Sequence, residues 1–150
     1  MAKQGERLNE FMVSCFYAIL RAEEKALANV PRGKLSIKEI HVIDAVFRAR
    51  DKGENNFSTI SAMLGITPSS LTTAYLTLEK KGYLTKEQDP TNKRVYHIMP
   101  TKLATAVYTA HQAWHERLVA NVVNFLPQKE LENLEETLQH LHTFISEHYK

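Results

Sequence analysis

The sequence predicts a mainly α-helical fold with one small β-hairpin, and three observations carry that prediction. Apolar residues recur at spacings of three and four over most of the chain. "GYLTKE" and "RVYHIM" are short alternating segments that flank the turn-rich connector "QDPTNK". Helix start and stop signals separate the periodic segments from one another.

Leu8, Phe11, Met12, Cys15, Phe16, Ile19 and Leu20 place a long amphipathic helix over residues 6–29, which "VPRGK" (30–34) breaks. In "LSIKEI", Ser36 and Glu39 make a capping box and Leu35 can staple onto Ile40, opening a helix that runs to about Arg50. "DKGENN" is a turn, and Asn56 or Ser58 caps a short helix that ends at Leu64-Gly65. Thr67 caps the next helix, with Pro68 in its first turn where a missing N–H is harmless, and Gly82 ends it. After the hairpin, Leu103, Val107, His111, Trp114, Leu118, Val122 and Phe125 share one stripe. Pro127 interrupts it, and Leu131, Leu134, Leu138, Leu141 and Ile145 follow as a coiled-coil-like seam.

Short helix, glycine turn, helix, hairpin is the order of a winged helix-turn-helix. The long N- and C-terminal helices carry more apolar face than so small a centre can cover, which predicts a dimerisation region. The expected organisation is an N-terminal dimerisation helix (1–35), a winged helix-turn-helix DNA-binding domain (36–100) and C-terminal dimerisation helices (101–150).

A chain of 150 residues, 43% of them hydrophobic, is long enough for one real core. Its net charge of +2 says little about partners, but the distribution says more. Between Lys80 and Lys102 six cations face only Glu87 and Asp89, whereas from Gln128 to Lys150 five glutamates face Lys129 and Lys150. The first region suits a polyanion and the second does not. The start, "MAKQGERLNEF", lacks an apolar signal core, no run has the length of a membrane span, and a single cysteine makes no internal disulfide. The expected setting is therefore the reducing cytoplasm. There is no GxGxxG, P-loop, HExxH or nucleophile elbow, so no catalytic residue and no cofactor is assigned.

The helix over residues 67–81 is the informative one. Leu71, Ala74, Tyr75 and Leu78 share an inward face, while Ser69, Ser70, Thr72, Thr73 and Thr77 fall largely on the others. Short hydroxyl residues are poor helix formers, so propensity does not explain them. In a major groove they let the backbone approach closely, bond to phosphates or base edges, and touch thymine methyls. Lys86, Lys93 and Arg94 on the hairpin would then reach phosphates or the adjacent minor groove. A winged helix serving a protein partner would carry apolar or acidic residues on this face instead.

The stretch "ISAMLGITPSSLTTAYLTLEKKGYLTKEQDPTNKRVYHIMPTK" resembles the winged-helix core of the MarR family of bacterial transcription regulators, and the flanking helices match that family in order and size. The resemblance implies a homodimer on a pseudo-palindromic operator. Two positions depart from the family pattern: the wing reads Asn92-Lys93-Arg94 where Asp-Arg-Arg is usual, and Pro100-Thr101-Lys102-Leu103-Ala104 replaces Leu-Thr-x-x-Gly. Lys93 is thus expected to act as a phosphate point charge and Arg94 as the groove residue. Within the family, "LNEF…AILRAEEKAL…LSIKEIHVID" looks most like the repressors of fatty-acid-biosynthesis genes. That likeness implies an acyl chain on acyl carrier protein as corepressor, with Phe11, Phe16, Ile19, Ile40, Ile43 and Phe47 lining its cavity; ordinary core is the competing role for these six. A small apolar or aromatic effector is the alternative ligand.

Two further chemistries belong to other branches of the family. Cys15 in "SCFYA" resembles the thiol of peroxide-sensing members, but no Lys, Arg or His lies within one turn to lower its pKa, and its place on the apolar stripe predicts a buried, inert thiol. His111 and His115, one turn apart, could place two imidazoles on one face as in zinc-responsive members, with His41 as a possible third. Without a carboxylate or thiol in the pattern to complete the set, no metal site is assigned.

Overall fold

The structure, a computed structural model, describes residues 2–28 and 35–149. The expected break at "VPRGK" (30–34) lies outside the described residues. The elements are α1 (Ala2–Leu27), α2 (Ile37–Asp51), α3 (Phe57–Leu64), α4 (Pro68–Lys80), β1 (Leu84–Gln88), β2 (Tyr96–Pro100), α5 (Lys102–Phe125) and α6 (Gln128–His148). The chain divides into two compact units, residues 1–112 and 113–150.

In the first unit α2 is the central helix. Ile40, Val42, Ile43, Ala45, Val46, Phe47 and Ala49 are all buried, with Asp44 among them, and α3, α4 and the hairpin pack on it. Its start is the expected capping box: Glu39 N donates to Ser36 Oγ at 3.2 Å and Ser36 N to Glu39 Oε2 at 2.8 Å. The Glu39 carboxylate also takes Lys81 Nζ at 2.6 Å, which ties the start of α2 to the end of α4. Ile60, Leu71, Tyr75, Leu78, Tyr83, Leu84, Ile98, Ala104 and Val107 complete the core. Phe47 stacks on Tyr108, with ring centroids 4.2 Å apart.

Of the two candidate caps for α3, Asn56 is the one used, accepting from Thr59 N at 2.9 Å. α3 ends at Gly65 in the left-handed region (φ 63°), where Gly65 N and Ile66 N donate back to Ala62 and Ser61 carbonyls. That reversal sets the angle between α3 and α4. Although nothing lies within 4 Å of an added Cβ there, Gly65→Ala is expected to lower stability by roughly 1 kcal/mol through backbone conformation alone, read as the urea midpoint. Thr67 caps α4 by accepting from Ser70 N at 3.2 Å.

β1 and β2 pair antiparallel from Leu84–Pro100 to Gln88–Tyr96. The hairpin is bound to the core through Asn55: Ile98 N donates to its carbonyl at 2.8 Å and its side-chain amide to the Ile98 carbonyl at 2.9 Å. Thr101 donates to the Gly82 carbonyl at 2.8 Å, and Ala104 N donates to Thr101 Oγ1 as α5 begins.

α1 belongs to this unit, yet its apolar stripe is open: Leu8, Phe11, Met12, Phe16 and Ile19 are exposed, and among its described side chains only Glu23 and Leu27 are buried. In the second unit Pro127 separates α5 from α6, as a residue without an N–H and hostile to helix at the preceding position must. No residue of α6 is fully buried, and Leu134, Leu138, Phe144 and Ile145 of its apolar seam and face are exposed. No described helix is long and apolar enough to cross a membrane.

Candidate nucleic-acid interface

α4 turns Leu71, Tyr75 and Leu78 into the core, which leaves Ser69, Ser70, Thr72, Thr73 and Thr77 exposed. Their hydroxyls are not idle. Thr72, Thr73 and Thr77 donate to the carbonyls of Pro68, Ser69 and Thr73 at 2.9, 3.1 and 3.1 Å, each one turn back. Ser69 and Ser70 share the Thr67 hydroxyl at 3.1 and 2.8 Å. Leu76 stands among them, 54% exposed. Sequence periodicity accounts for the inward set and is silent about a leucine left outside it.

The wing is a built loop. Asp89 Oδ1 accepts from Thr91 N at 2.8 Å, Thr91 Oγ1 at 2.7 Å and Asn92 N at 2.8 Å, while Oδ2 meets His97 Nε2 at 2.8 Å. The His97 bond first, and then those from Thr91 and Asn92, hold the Asp89 carboxyl well below the usual carboxylate range. Asn92 Oδ1 accepts from Arg94 N at 3.1 Å, and Gln88 Nε2 donates to the Lys93 carbonyl at 2.7 Å. These bonds present Lys93 and Arg94 on an exposed turn. Lys86 behaves differently: its ammonium lies over the Tyr96 and Tyr75 rings, 5.1 and 5.6 Å from their centroids. The Asn55 and His97 bonds join residues distant in sequence and leave no local pattern, whereas the Asp89 bonds to Thr91 and Asn92 lie within three residues.

Behind this surface lies a buried polar network. Glu23 and His111, each 3% exposed, meet at 2.7 Å between Oε1 and Nε2, and His41 Nε2 reaches the same oxygen at 2.9 Å. The other ring nitrogen of His111 lies 3.3 Å from Asp44 Oδ1, which also accepts from Gln112 at 2.6 Å, and Arg48 pairs with Asp44 Oδ2 at 2.9 Å. Burial draws the His111 pKa down, but the hydrogen bonds and charges of Asp44 and Glu23 outweigh it and raise the value. Burial likewise pushes the Asp44 carboxyl up, and the His111 bond, the Arg48 and His111 charges and Gln112 together hold it below its ordinary range. Glu23 thus supplies the carboxylate that the sequence pattern lacked beside His111 and His41.

The six candidate acyl-lining residues fall into two environments. Ile40, Ile43 and Phe47 are in the core, whereas Phe11, Phe16 and Ile19 are exposed on α1, Phe11 by 63%. Cys15 is exposed on the same stripe, in place of the buried thiol expected, because no element of the described chain covers that stripe. A separate hollow of about 390 Å³ opens between α2, the end of α3 and α4, its apolar wall formed by Val42, Leu64, Ile66 and Ala74 and its polar wall by Lys38, Glu39, His41 and Ser70.

Residues 35–96 match the MarR family model. The whole chain is similar to the crystal structure of Streptococcus pneumoniae FabT in complex with DNA, with 28% identity, a TM-score of 0.87, and 95% of this chain and 97% of that one covered. A MarR protein from Peptoclostridium difficile (20% identity, TM-score 0.74, 92% and 86% covered) shares the fold. So does the S. aureus MepR–DNA complex (14% identity, TM-score 0.74, 89% and 96% covered). No curated protein sequence matches the chain.

Proposed function

We propose that this chain is a sequence-specific, DNA-binding transcription regulator of the MarR type, whose family model residues 35–96 match. The observation that carries the reading is the exposed hydroxyl face of α4 standing in the same unit as a wing that presents Lys93 and Arg94. The likeness to FabT bound to DNA supports it. In this reading residues 36–100 bind DNA, while 1–35 and 101–150 pair two copies through the open stripes of α1 and α6. Two α4 helices then enter successive major grooves about 34–36 Å apart on a pseudo-palindrome. The protein acts as a repressor in the cytoplasm.

Selection of bound duplexes from a random pool, run with and without acyl-loaded acyl carrier protein, tests this: an enriched palindrome with half-sites one turn apart is the expected outcome, and no enrichment under either condition rejects it. Sedimentation should show a dimer at micromolar concentration. On the selected site, Lys93→Ala should weaken binding to all sequences alike and lower the salt slope by about one, since one phosphate contact is lost.

The FabT likeness further supports control of fatty-acid-synthesis genes, with an acyl chain carried by acyl carrier protein as corepressor. The hollow between α2 and α4 favours a small apolar effector as the second reading, because its wall includes Ser70 and Ala74 of the reading helix.

A further inference from the structure

On the DNA reading above, we infer that α4 selects its site by touching thymine methyl groups, with Thr73 and Leu76 as the specificity-determining contacts and Thr72 and Thr77 beside them. Ser69, Thr73, Leu76 and Lys80 follow at spacings of four, three and four, opposite the buried Leu71, Tyr75 and Leu78. This stripe is the part of α4 that enters a groove deepest.

The chemistry of the stripe is unusual for base reading. From Pro68 to Lys80 there is no Arg, Asn or Gln, and Lys80, the last residue of the helix, is the only side chain there of the kinds that pair bidentately with guanine or adenine. The hydroxyl protons of Thr72, Thr73 and Thr77 are held by carbonyls of their own helix. With Oγ1 turned back in this way, each threonine offers its methyl group and a remaining lone pair to whatever approaches. Leu76 has only carbon to offer and is open to solvent. In the major groove the thymine C5-methyl is the apolar group that base edges present. Threonine methyls and Leu76 are therefore complementary to thymine, and the lone pairs accept from the adenine or cytosine amino group.

The test uses the full chain and a duplex recovered by selection, compared by fluorescence anisotropy with the same duplex carrying deoxyuridine for the half-site thymines. This exchange removes methyl groups alone. The wild type is expected to lose roughly fourfold in affinity per contacted methyl. Thr73→Val keeps the methyl and should keep the thymine preference, whereas Thr73→Ser keeps the hydroxyl and should lose the part due to that contact. Leu76→Ala should lower the preference as well. Equal wild-type affinity for the two duplexes overturns the inference and leaves the DNA reading standing. A preference kept by Thr73→Ser and lost by Thr73→Val assigns the contact to the hydroxyl and also overturns it. Failure of the wild type to bind any duplex, with acyl-loaded acyl carrier protein present as well as absent, removes the DNA reading and this inference together.

Discussion

Arg94→Ala is expected to weaken operator binding by one to two orders of magnitude, while Lys129→Ala leaves it within about twofold. An arginine placed in a narrow A·T-rich minor groove contributes roughly 1–3 kcal/mol. Arg94 is well prepared for that role, since its own backbone N–H and the neighbouring Lys93 carbonyl are held by Asn92 and Gln88, at 3.1 and 2.7 Å. A turn ordered in advance loses little entropy on docking. Lys129 is the control because it sits at the start of α6, among glutamates. Fluorescence-anisotropy titration at fixed salt reads both variants, and equal losses would remove the wing from the interface.

The second large effect is on stability. His111→Ala should cost roughly 3–5 kcal/mol, because it leaves the buried Glu23 and Asp44 carboxylates without the group they share. Urea unfolding at constant protomer concentration measures it, and a loss below about 1 kcal/mol would mean that the network contributes little. The network also predicts a pH profile. The His111 pKa is raised by folding, so its contribution is complete below the unfolded value near 6.5 and disappears as pH rises through the folded one. The Asp44 pKa is lowered by folding, so its contribution is complete above the unfolded value near 4 and is lost as pH falls through the folded one. Stability from these two groups should therefore be greatest between about pH 4 and 6.5 and decline on either side. In His111→Ala the alkaline decline should vanish.

Much of the fold and part of the candidate site were legible in the residues. Ser36 with Glu39, Asn56, Thr67-Pro68, Gly65, Gly82 and Pro127 mark helix ends through contacts within one turn, so a reader of the linear chain sees both partners. The exposed hydroxyl set on α4 follows from the same local logic. Leu76 was missed because periodicity identifies the buried arc and gives an isolated apolar residue outside it no meaning. Cys15 was expected to be buried, whereas the α1 stripe was expected to exceed what so small a centre can cover. Periodicity shows that a face is apolar and cannot tell whether the covering surface belongs to the same chain.

By itself, then, the sequence determined the order of helices, the glycine turn, the hairpin and the hydroxyl face, because each arises from neighbours a few residues apart. The tertiary structure alone decided that Glu23, His41, Asp44 and His111 meet, across separations of 18 to 88 residues. It alone decided that Asp89 and Asn55 brace the wing. Those contacts depend on how α1, α2, α5 and the hairpin pack, and burial of charge makes the ones among Glu23, Asp44 and His111 energetically consequential in a way that no local pattern records.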